Sequence, residues 1–140
     1  MNKPIVVDSS VWIDFLRGRS TPPSDLLRAL TNTERLVTAD LVLLEVLQGV
    51  RDERSFQLTR ERLSRGASLT VCDEQVILQT ARNYRHLRGL GITVRKTIDM
   101  LIATRCIMDD LPLLYSDRDF DPFVEHLGLR SALDLGTGVN

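Results

Sequence analysis

The chain has 140 residues, of which 43% are hydrophobic and 26% are charged, and its net charge at pH 7 is −1. This composition excludes an intrinsically disordered chain, and no apolar run approaches the roughly 18 residues that a membrane span requires. We therefore expect a cytoplasmic protein that makes no membrane contact, with one domain over residues 1–135 and a flexible tail over residues 136–140.

The first half of the chain predicts strands and helices in alternation, beginning with a short strand before Asp8. That strand is continuously apolar and β-branched, which is typical of a strand buried in a parallel sheet. Ser9 or Ser10 is predicted to cap the first helix, and Ser24 the second. The predicted strands cover residues 4–7 and 35–38, and the predicted helices cover residues 11–16, 24–30, 40–50 and 55–65.

The second half continues the alternation. Asp73 is predicted to cap a long amphipathic helix and Thr97 the helix after it, while Leu129 begins a possible edge strand. The other predicted strands cover residues 69–72 and 113–115, and the predicted helices cover residues 74–90, 97–109 and 120–127. This alternation indicates an α/β fold, with a central parallel sheet of about four to five strands and helices on both faces.

Four carboxylates each interrupt or end an apolar run: Asp8, Glu45, Asp99 and Asp117. Removing an ionised carboxylate from water is costly unless a cation or hydrogen bonds compensate it. Asp8 and Asp117 follow predicted strands, and ligands of open α/β sheets collect at the carboxyl ends of strands. A site built from oxygen ligands suits Mg²⁺ or Mn²⁺ rather than zinc. The pattern therefore predicts a metal centre that favours phosphodiester hydrolysis.

Each carboxylate also has a purely structural interpretation. Asp8 could cap the first helix, Asp99 could be a first-turn residue that the helix dipole favours, and Asp117 could belong to an exposed turn. Glu45 could form a structural ion pair. Separately, Cys72 lies far from the only other cysteine, so both cysteines are predicted to be small buried hydrophobic residues.

Four segments together resemble the PIN-domain family, and most of all the VapC-type toxins of bacterial toxin–antitoxin pairs. They are VDSSVWID over residues 7–14, LEVLQG over residues 44–49, TIDMLIA over residues 97–103 and SDRDF over residues 116–120. The resemblance covers nearly the whole chain. It implies a PIN-like nuclease domain and a Mg²⁺- or Mn²⁺-dependent endoribonuclease that cuts structured RNA, a tRNA or an rRNA, and so inhibits translation. It also implies a homodimer and a cognate antitoxin protein as partner.

The resemblance assigns roles to individual residues. It makes Asp8, Glu45 and Asp99 metal ligands and catalytic residues, and Asp117 the fourth, with Asp119 as its alternative or helper. Lys96 departs from the family pattern, since similar proteins often carry a small hydroxyl residue there; it could contact RNA phosphate or pair with a site carboxylate. The possible supporting residues are Ser9, Ser10, Arg95, Thr97, Ser116 and Asp119.

Other functions leave different marks on a sequence. A haloacid-dehalogenase-type phosphatase requires a second Asp at the position of Ser10, and a receiver domain requires an early acidic pair that this chain lacks. The remaining rival is a catalytically silent PIN-like module that binds RNA or a protein. Because Leu58 and Leu63 make the helix over residues 55–65 too apolar for full solvation, we expect an antitoxin segment to dock beside it and the helix over residues 40–50.

Overall fold

The computed structural model describes residues 3–135, so the predicted flexible tail lies outside the described residues. Within that range the strands are β1 (Ile5–Val7), β2 (Leu36–Ala39), β3 (Ala67–Leu69) and β4 (Leu113–Leu114). The helices are α1 (Ser9–Leu16), α2 (Pro22–Leu30), α3 (Asp40–Gln48), α4 (Glu53–Leu63), α5 (Glu74–Gly89), α6 (Thr97–Met108) and α7 (Asp121–Leu127), with a 3₁₀ turn at Arg118–Phe120 before α7.

The four strands form one parallel sheet in the order β3-β2-β1-β4. Val6 pairs with Val37 of β2 on one side and with Leu113 of β4 on the other. The chain steps outward from β1 to β3 and then returns to the far side of β1, so the strand order reverses between β1 and β4. Such a reversal opens a crevice at the carboxyl ends of the two strands.

The helices cover both faces of this sheet. Right-handed crossovers that run in opposite directions across a parallel sheet leave their helices on opposite faces. The outward connections contain α1 to α4, whereas the return connection contains α5 and α6. The packing agrees, because α1 contacts α2 and α3, while α5 contacts α6 and α7. The predicted α/β fold with a parallel sheet and two helical layers is confirmed.

The core is centred on β1, whose three residues are all buried. Phe120 and Phe123 are fully buried and enclose the sheet beside β4, which anchors the chain segment that follows Asp117. At the other side of the sheet, Gly66 lies so close to β2 that a Cβ there would clash with the carbonyl oxygen of Leu36. The positions that lead into the predicted site are thus fixed by dense packing.

Several predicted boundaries and caps are wrong. The third strand is Ala67–Leu69 rather than 69–72, because the backbone N–H of Val71 donates to the Asp40 carboxylate instead of to a strand. Thr21 caps α2, and Ser24 completes its capping box from the third helical position. The predicted edge strand after Leu129 is a single parallel bridge between Leu113 and Ser131.

Two predictions of burial are also wrong. Cys72 is exposed on the loop after β3, whereas Cys106 is buried as predicted. Leu63 is 1% exposed and belongs to the core, so of these two leucines Leu58 alone contributes to the exposed apolar surface of α4. In residues 3–135, every helix lacks the combination of length and apolar character that a membrane crossing requires.

Candidate metal centre

Three carboxylates from distant parts of the chain meet at the crevice between β1 and β4. Asp8 follows β1 directly, Glu45 lies on α3 and Asp99 lies in the first turn of α6. One oxygen of each lies within 4.8 Å of an oxygen of the other two. Asp8 is 2% exposed and Asp99 6% exposed, so this group is largely withdrawn from water.

Asp8 is the N-cap of α1, in place of the predicted Ser9 or Ser10, but capping uses only one of its oxygens. Its Oδ2 accepts hydrogen bonds from the backbone N–H of Ser10 at 3.2 Å and from the Ser10 hydroxyl at 2.6 Å. Its Oδ1 is buried and has no hydrogen-bond partner among residues 3–135. A buried acceptor without a donor is costly, so the capping role alone leaves this oxygen unexplained.

The pKa shifts of the three carboxylates agree with a negative pocket that the charge of nearby Lys96 offsets only in part. Burial, followed by the charges of Asp8 and Glu45, raises the pKa of Asp99 to about 7. Burial also raises the pKa of Asp8 and of Glu45, against the lowering effect of their serine hydrogen bonds. A bound divalent cation would reverse these shifts. The group therefore fits Mg²⁺ or Mn²⁺ in its ligand type, its orphaned oxygen and its charge.

A second group of carboxylates shares Asp99 with the first. Asp99, Asp117 and Asp119 also bring oxygens within 4.8 Å of one another, although Asp119 is exposed. Here the chain supplies its own cation, because Lys96 Nζ lies 2.7 Å from Asp117 Oδ2 and 3.5 Å from Asp119 Oδ2. Of the two roles left open for Lys96, the structure shows the ion pair with a site carboxylate.

The Lys96 pair gives Asp117 the opposite electrostatics. Burial acts to raise the pKa of Asp117, but the hydrogen bond and charge of Lys96 and the backbone N–H of Asp119 outweigh it, so its pKa lies below the usual value. The hydrogen bond to Asp117 raises the pKa of Lys96 in turn. Asp117 is therefore an ionised, paired carboxylate.

Some of the predicted supporting residues form hydrogen bonds at the site, and others do not. The Ser9 hydroxyl donates to Glu45 Oε1 at 3.0 Å, and the Ser116 hydroxyl donates to Ser10 Oγ at 3.2 Å. Ser9 therefore orients a carboxylate directly, whereas Ser116 contacts the serine that holds Asp8. Thr97, predicted as a cap, is the first helical residue of α6, and Lys96 occupies the N-cap position. Arg95 is exposed and forms no ion pair within the described part of the chain.

A groove on the α1 side of the molecule was not predicted from the sequence. It has a volume of about 440 Å³ and lies between α1, α4 and the edge of the sheet. Trp12 and Phe15 line it, and the guanidinium groups of Arg28 and Arg62 lie over the Phe15 ring. The indole N–H of Trp12 is buried and lacks an acceptor among the described residues. Only the one-turn spacing of Trp12 and Phe15 on α1 hinted at this surface.

Comparison with known proteins decides the family. The model of the PIN domain matches residues 5–124, which include all the carboxylates of both groups. The chain belongs to the PIN-domain family. The resemblance inferred from the four sequence segments is thereby confirmed.

Relatives of this PIN domain match it over almost their full lengths. It is 31% identical over 131 residues to the VapC ribonuclease Mb1587 of Mycobacterium bovis, covering 91% of this chain and 97% of the relative. It is 29% identical over 123 residues to the ribonuclease VapC19 of Mycobacterium tuberculosis, covering 84% of this chain and 93% of the relative.

Solved structures show the same fold at lower identity. VapBC2 from Rickettsia felis, bound to a DNA fragment from its promoter, aligns with a TM-score of 0.71 and 15% identity over 91% of this chain and 96% of that chain. DNA-bound VapBC from Salmonella typhimurium aligns with a TM-score of 0.69 and 18% identity over 92% and 96%. These similarities place the four-stranded sheet and its helices in the architecture of the family.

Proposed function

We propose that this PIN domain is the toxin of a toxin–antitoxin pair, an endoribonuclease that hydrolyses phosphodiester bonds in structured RNA with the aid of Mg²⁺ or Mn²⁺. The observation that carries the proposal is the largely buried group of Asp8, Glu45 and Asp99, in which three acidic oxygens converge and none forms an ion pair within residues 3–135. The relatives named as ribonucleases at up to 31% identity support the same activity.

Each residue of the group has a defined task. Asp8, Glu45 and Asp99 would hold the divalent ion, and Ser9 and Ser10 fix the orientation of the carboxylates that they touch. The ion would supply an activated water and neutralise charge on the phosphodiester.

The direct test is RNA cleavage by the purified protein with added Mg²⁺ or Mn²⁺. We expect cleavage that EDTA stops and that Asp99→Asn abolishes, because the variant loses a carboxylate of the buried group. Asp14→Asn is the matched control, since Asp14 lies on α1 and pairs with Arg19 at 3.5 Å outside the group. Undiminished cleavage by Asp99→Asn would refute the assignment, and RNA binding without cleavage by the parent would favour the silent module.

The substrate is proposed to be a tRNA or an rRNA in the cytoplasm, where its cleavage inhibits translation. Sequencing of new RNA 5′ ends after brief expression, in parallel with Asp99→Asn, identifies the target directly. We expect discrete new ends in tRNA or rRNA that are absent with the variant. New ends spread over messenger RNAs would contradict this substrate class.

The proposed antitoxin partner would occupy the groove beside α1 and α4. Apolar Trp12 and Phe15 line it, and exposed Leu58 and Arg62 line a second depression on α4 that adjoins it. Apolar walls with arginines at the rim suit a segment that combines apolar and acidic side chains. Arg62→Glu should weaken co-purification with a small protein encoded beside the toxin, whereas Arg82→Glu on α5 should not.

The proposed homodimer would bury apolar side chains that the single chain exposes. Ile77, Leu78 and Leu90 lie on or directly after α5 and are each about half exposed. Sedimentation should give the mass of a dimer, and Ile77→Asp should shift it towards the monomer. A parent protein that sediments as a monomer at all concentrations would exclude this arrangement.

A further inference from the structure

The five carboxylates of the crevice differ in whether the chain supplies them with a cation. Asp8, Glu45 and Asp99 form no ion pair within residues 3–135, whereas Asp117 and Asp119 share the ammonium group of Lys96. Both groups have the spacing that a divalent ion would require, and they share Asp99. By spacing alone the crevice could accommodate two neighbouring ions.

We propose that the Lys96 ammonium takes the place of a second cation, so that this PIN domain binds one divalent ion, and that Asp117 and Asp119 position Lys96 instead of ligating metal. This inference rests on the proposed function, because it concerns the ion count of that same site. It also answers which of Asp117 and Asp119 is the fourth ligand: neither.

Each oxygen of Asp117 already has a hydrogen-bond donor without a metal. Its Oδ2 accepts from Lys96 at 2.7 Å, and its Oδ1 accepts from the backbone N–H of Asp119 at 2.9 Å. A metal at this carboxylate would have to compete with these donors and with the positive charge of Lys96. Asp8 differs, because its buried Oδ1 has no donor among the described residues.

The backbone keeps Lys96 at this position. It is the N-cap residue of α6 and precedes Asp99 by less than one helical turn, so the helix that supplies a ligand also supplies the ammonium. An isolated exposed ion pair contributes little, but this ammonium lies between two carboxylates that a 3₁₀ turn holds together.

The ammonium retains capacity for substrate. A lysine ammonium has three N–H donors; one donates to Asp117 at 2.7 Å, and a second faces Asp119, whose Oδ2 lies 3.5 Å away as an ion pair. The third can donate to a phosphate oxygen of bound RNA. Lys96 would then contact the substrate with one positive charge, where a second metal ion would bring two.

The test counts ions with Mn²⁺ alone, by following the EPR signal of free Mn²⁺ during titration. We expect the parent to bind one ion per chain and Lys96→Met to bind two, since the vacated carboxylates become available. Lys96→Arg should keep one, because it restores a cation. Arg95→Met is the matched control for the change in net charge and should also keep one.

Asp117→Asn combined with Asp119→Asn gives a second readout that leaves Lys96 in place. If these carboxylates only position Lys96, the double variant still binds one ion per chain. This double variant also keeps the inference testable if Lys96→Met does not fold.

The rate of RNA cleavage, plotted against Mn²⁺ concentration, should change from a hyperbolic curve in the parent to a sigmoidal curve in Lys96→Met.

The outcomes separate this inference from the proposed function. Two ions in the parent, or one ion in a folded Lys96→Met, would overturn the role of Lys96 while leaving a metal-dependent nuclease intact. A loss of one ion in the double variant would do the same. A parent that binds no Mn²⁺ would refute the metal centre itself, and this inference with it.

Discussion

Asp99 belongs to two carboxylate groups that the same fold treats in opposite ways. On the Asp8 side, burial raises every pKa of the group, the charge of a neighbouring carboxylate adds to it, and one buried oxygen lacks a donor in the described structure. On the Asp117 side, the hydrogen bond and charge of Lys96 lower the carboxylate pKa, and each carboxylate oxygen has a donor. The comparison teaches that the placement of one fixed cation, more than the number of acidic residues, decides which half of a crevice requires a metal.

The largest contrast between the two sides should be in RNA cleavage. Asp8→Asn should lower the rate by more than about 100-fold, since loss of an outer-shell partner alone costs about 10–100-fold in metalloenzymes. Asp119→Asn should lower it by less than about 10-fold, because Asp119 is exposed and only touches Lys96 at 3.5 Å.

Cleavage rates of the two variants under equal Mg²⁺ check this prediction. Asparagine also caps helices well, so Asp8→Asn should keep α1, which circular dichroism can verify. Equal losses of cleavage rate in Asp8→Asn and Asp119→Asn would contradict the difference between the Asp8 side and the Asp117 side.

A smaller contrast should appear in the stability of the metal-free protein. Asp99 has a pKa of about 7 in the folded state against an ordinary 3.8, so the folded chain binds more protons between these values. The free energy of unfolding therefore falls as pH rises from about 4 to about 7. Asp99→Asn removes this loss and should be more stable than the parent at pH 8 by about 1–3 kcal/mol.

Urea unfolding at several pH values measures the difference, which should shrink towards zero near pH 4 because both side chains are then neutral. Added Mg²⁺ should stabilise the parent, by about 2.7 kcal/mol at 100 times Kd, and leave Asp99→Asn nearly unchanged. A variant less stable than the parent at every pH would show that Asp99 is compensated after all.

Removing a serine hydroxyl that bonds to a carboxylate should weaken metal binding less than removing the carboxylate itself. Ser10→Ala removes the 2.6 Å hydrogen bond to Asp8 Oδ2 and should weaken Mn²⁺ binding by about 10-fold. Ser116→Ala is a matched control, because Ser116 reaches the site only through Ser10. Titration calorimetry with Mn²⁺ alone compares them, and equal affinities in parent and Ser10→Ala would remove Ser10 from the site.

The smallest effect should come from the paired side. Asp117→Asn breaks an ion pair in which Lys96 is 55% exposed, so it should lower the free energy of unfolding by only about 0.2–1 kcal/mol. High salt should shrink the loss further, since salt screens exposed charges. Thermal unfolding at two ionic strengths measures the loss, and a loss of several kcal/mol would mean that this ion pair stabilises the fold far more than an exposed pair should.

The sequence predicted the group of Asp8, Glu45 and Asp99 because each carboxylate stands out from its immediate neighbours in the chain. Asp8 follows a run that must be a buried strand, and the rule that ligands collect at strand ends then placed its carboxylate correctly. Glu45 and Asp99 each stand alone among apolar neighbours, which marks an unusual burial of charge in any fold.

The Lys96 contact and β3 were beyond local patterns. Lys96 and Asp117 are 21 residues apart and meet because α6 begins at the edge of the sheet where β4 ends. The sequence favoured 69–72 as a strand because Val71 is apolar, yet Val71 is buried through a loop that Asp40 holds. Ala67–Leu69 pairs with β2 alone, so it is a strand because of its hydrogen bonds to β2 and not because of its own β propensity.

The strand β4 pairs with β1 although it lies far later in the chain, and this has a consequence during synthesis. β1 is complete within the first residues, but the backbone N–H of Asp8 donates to the carbonyl of Leu114 at 2.9 Å, so its geometry depends on a strand synthesised near the end. A nascent polypeptide from which β4 has not yet emerged therefore has no finished crevice, and the activity proposed for this site must wait for that strand.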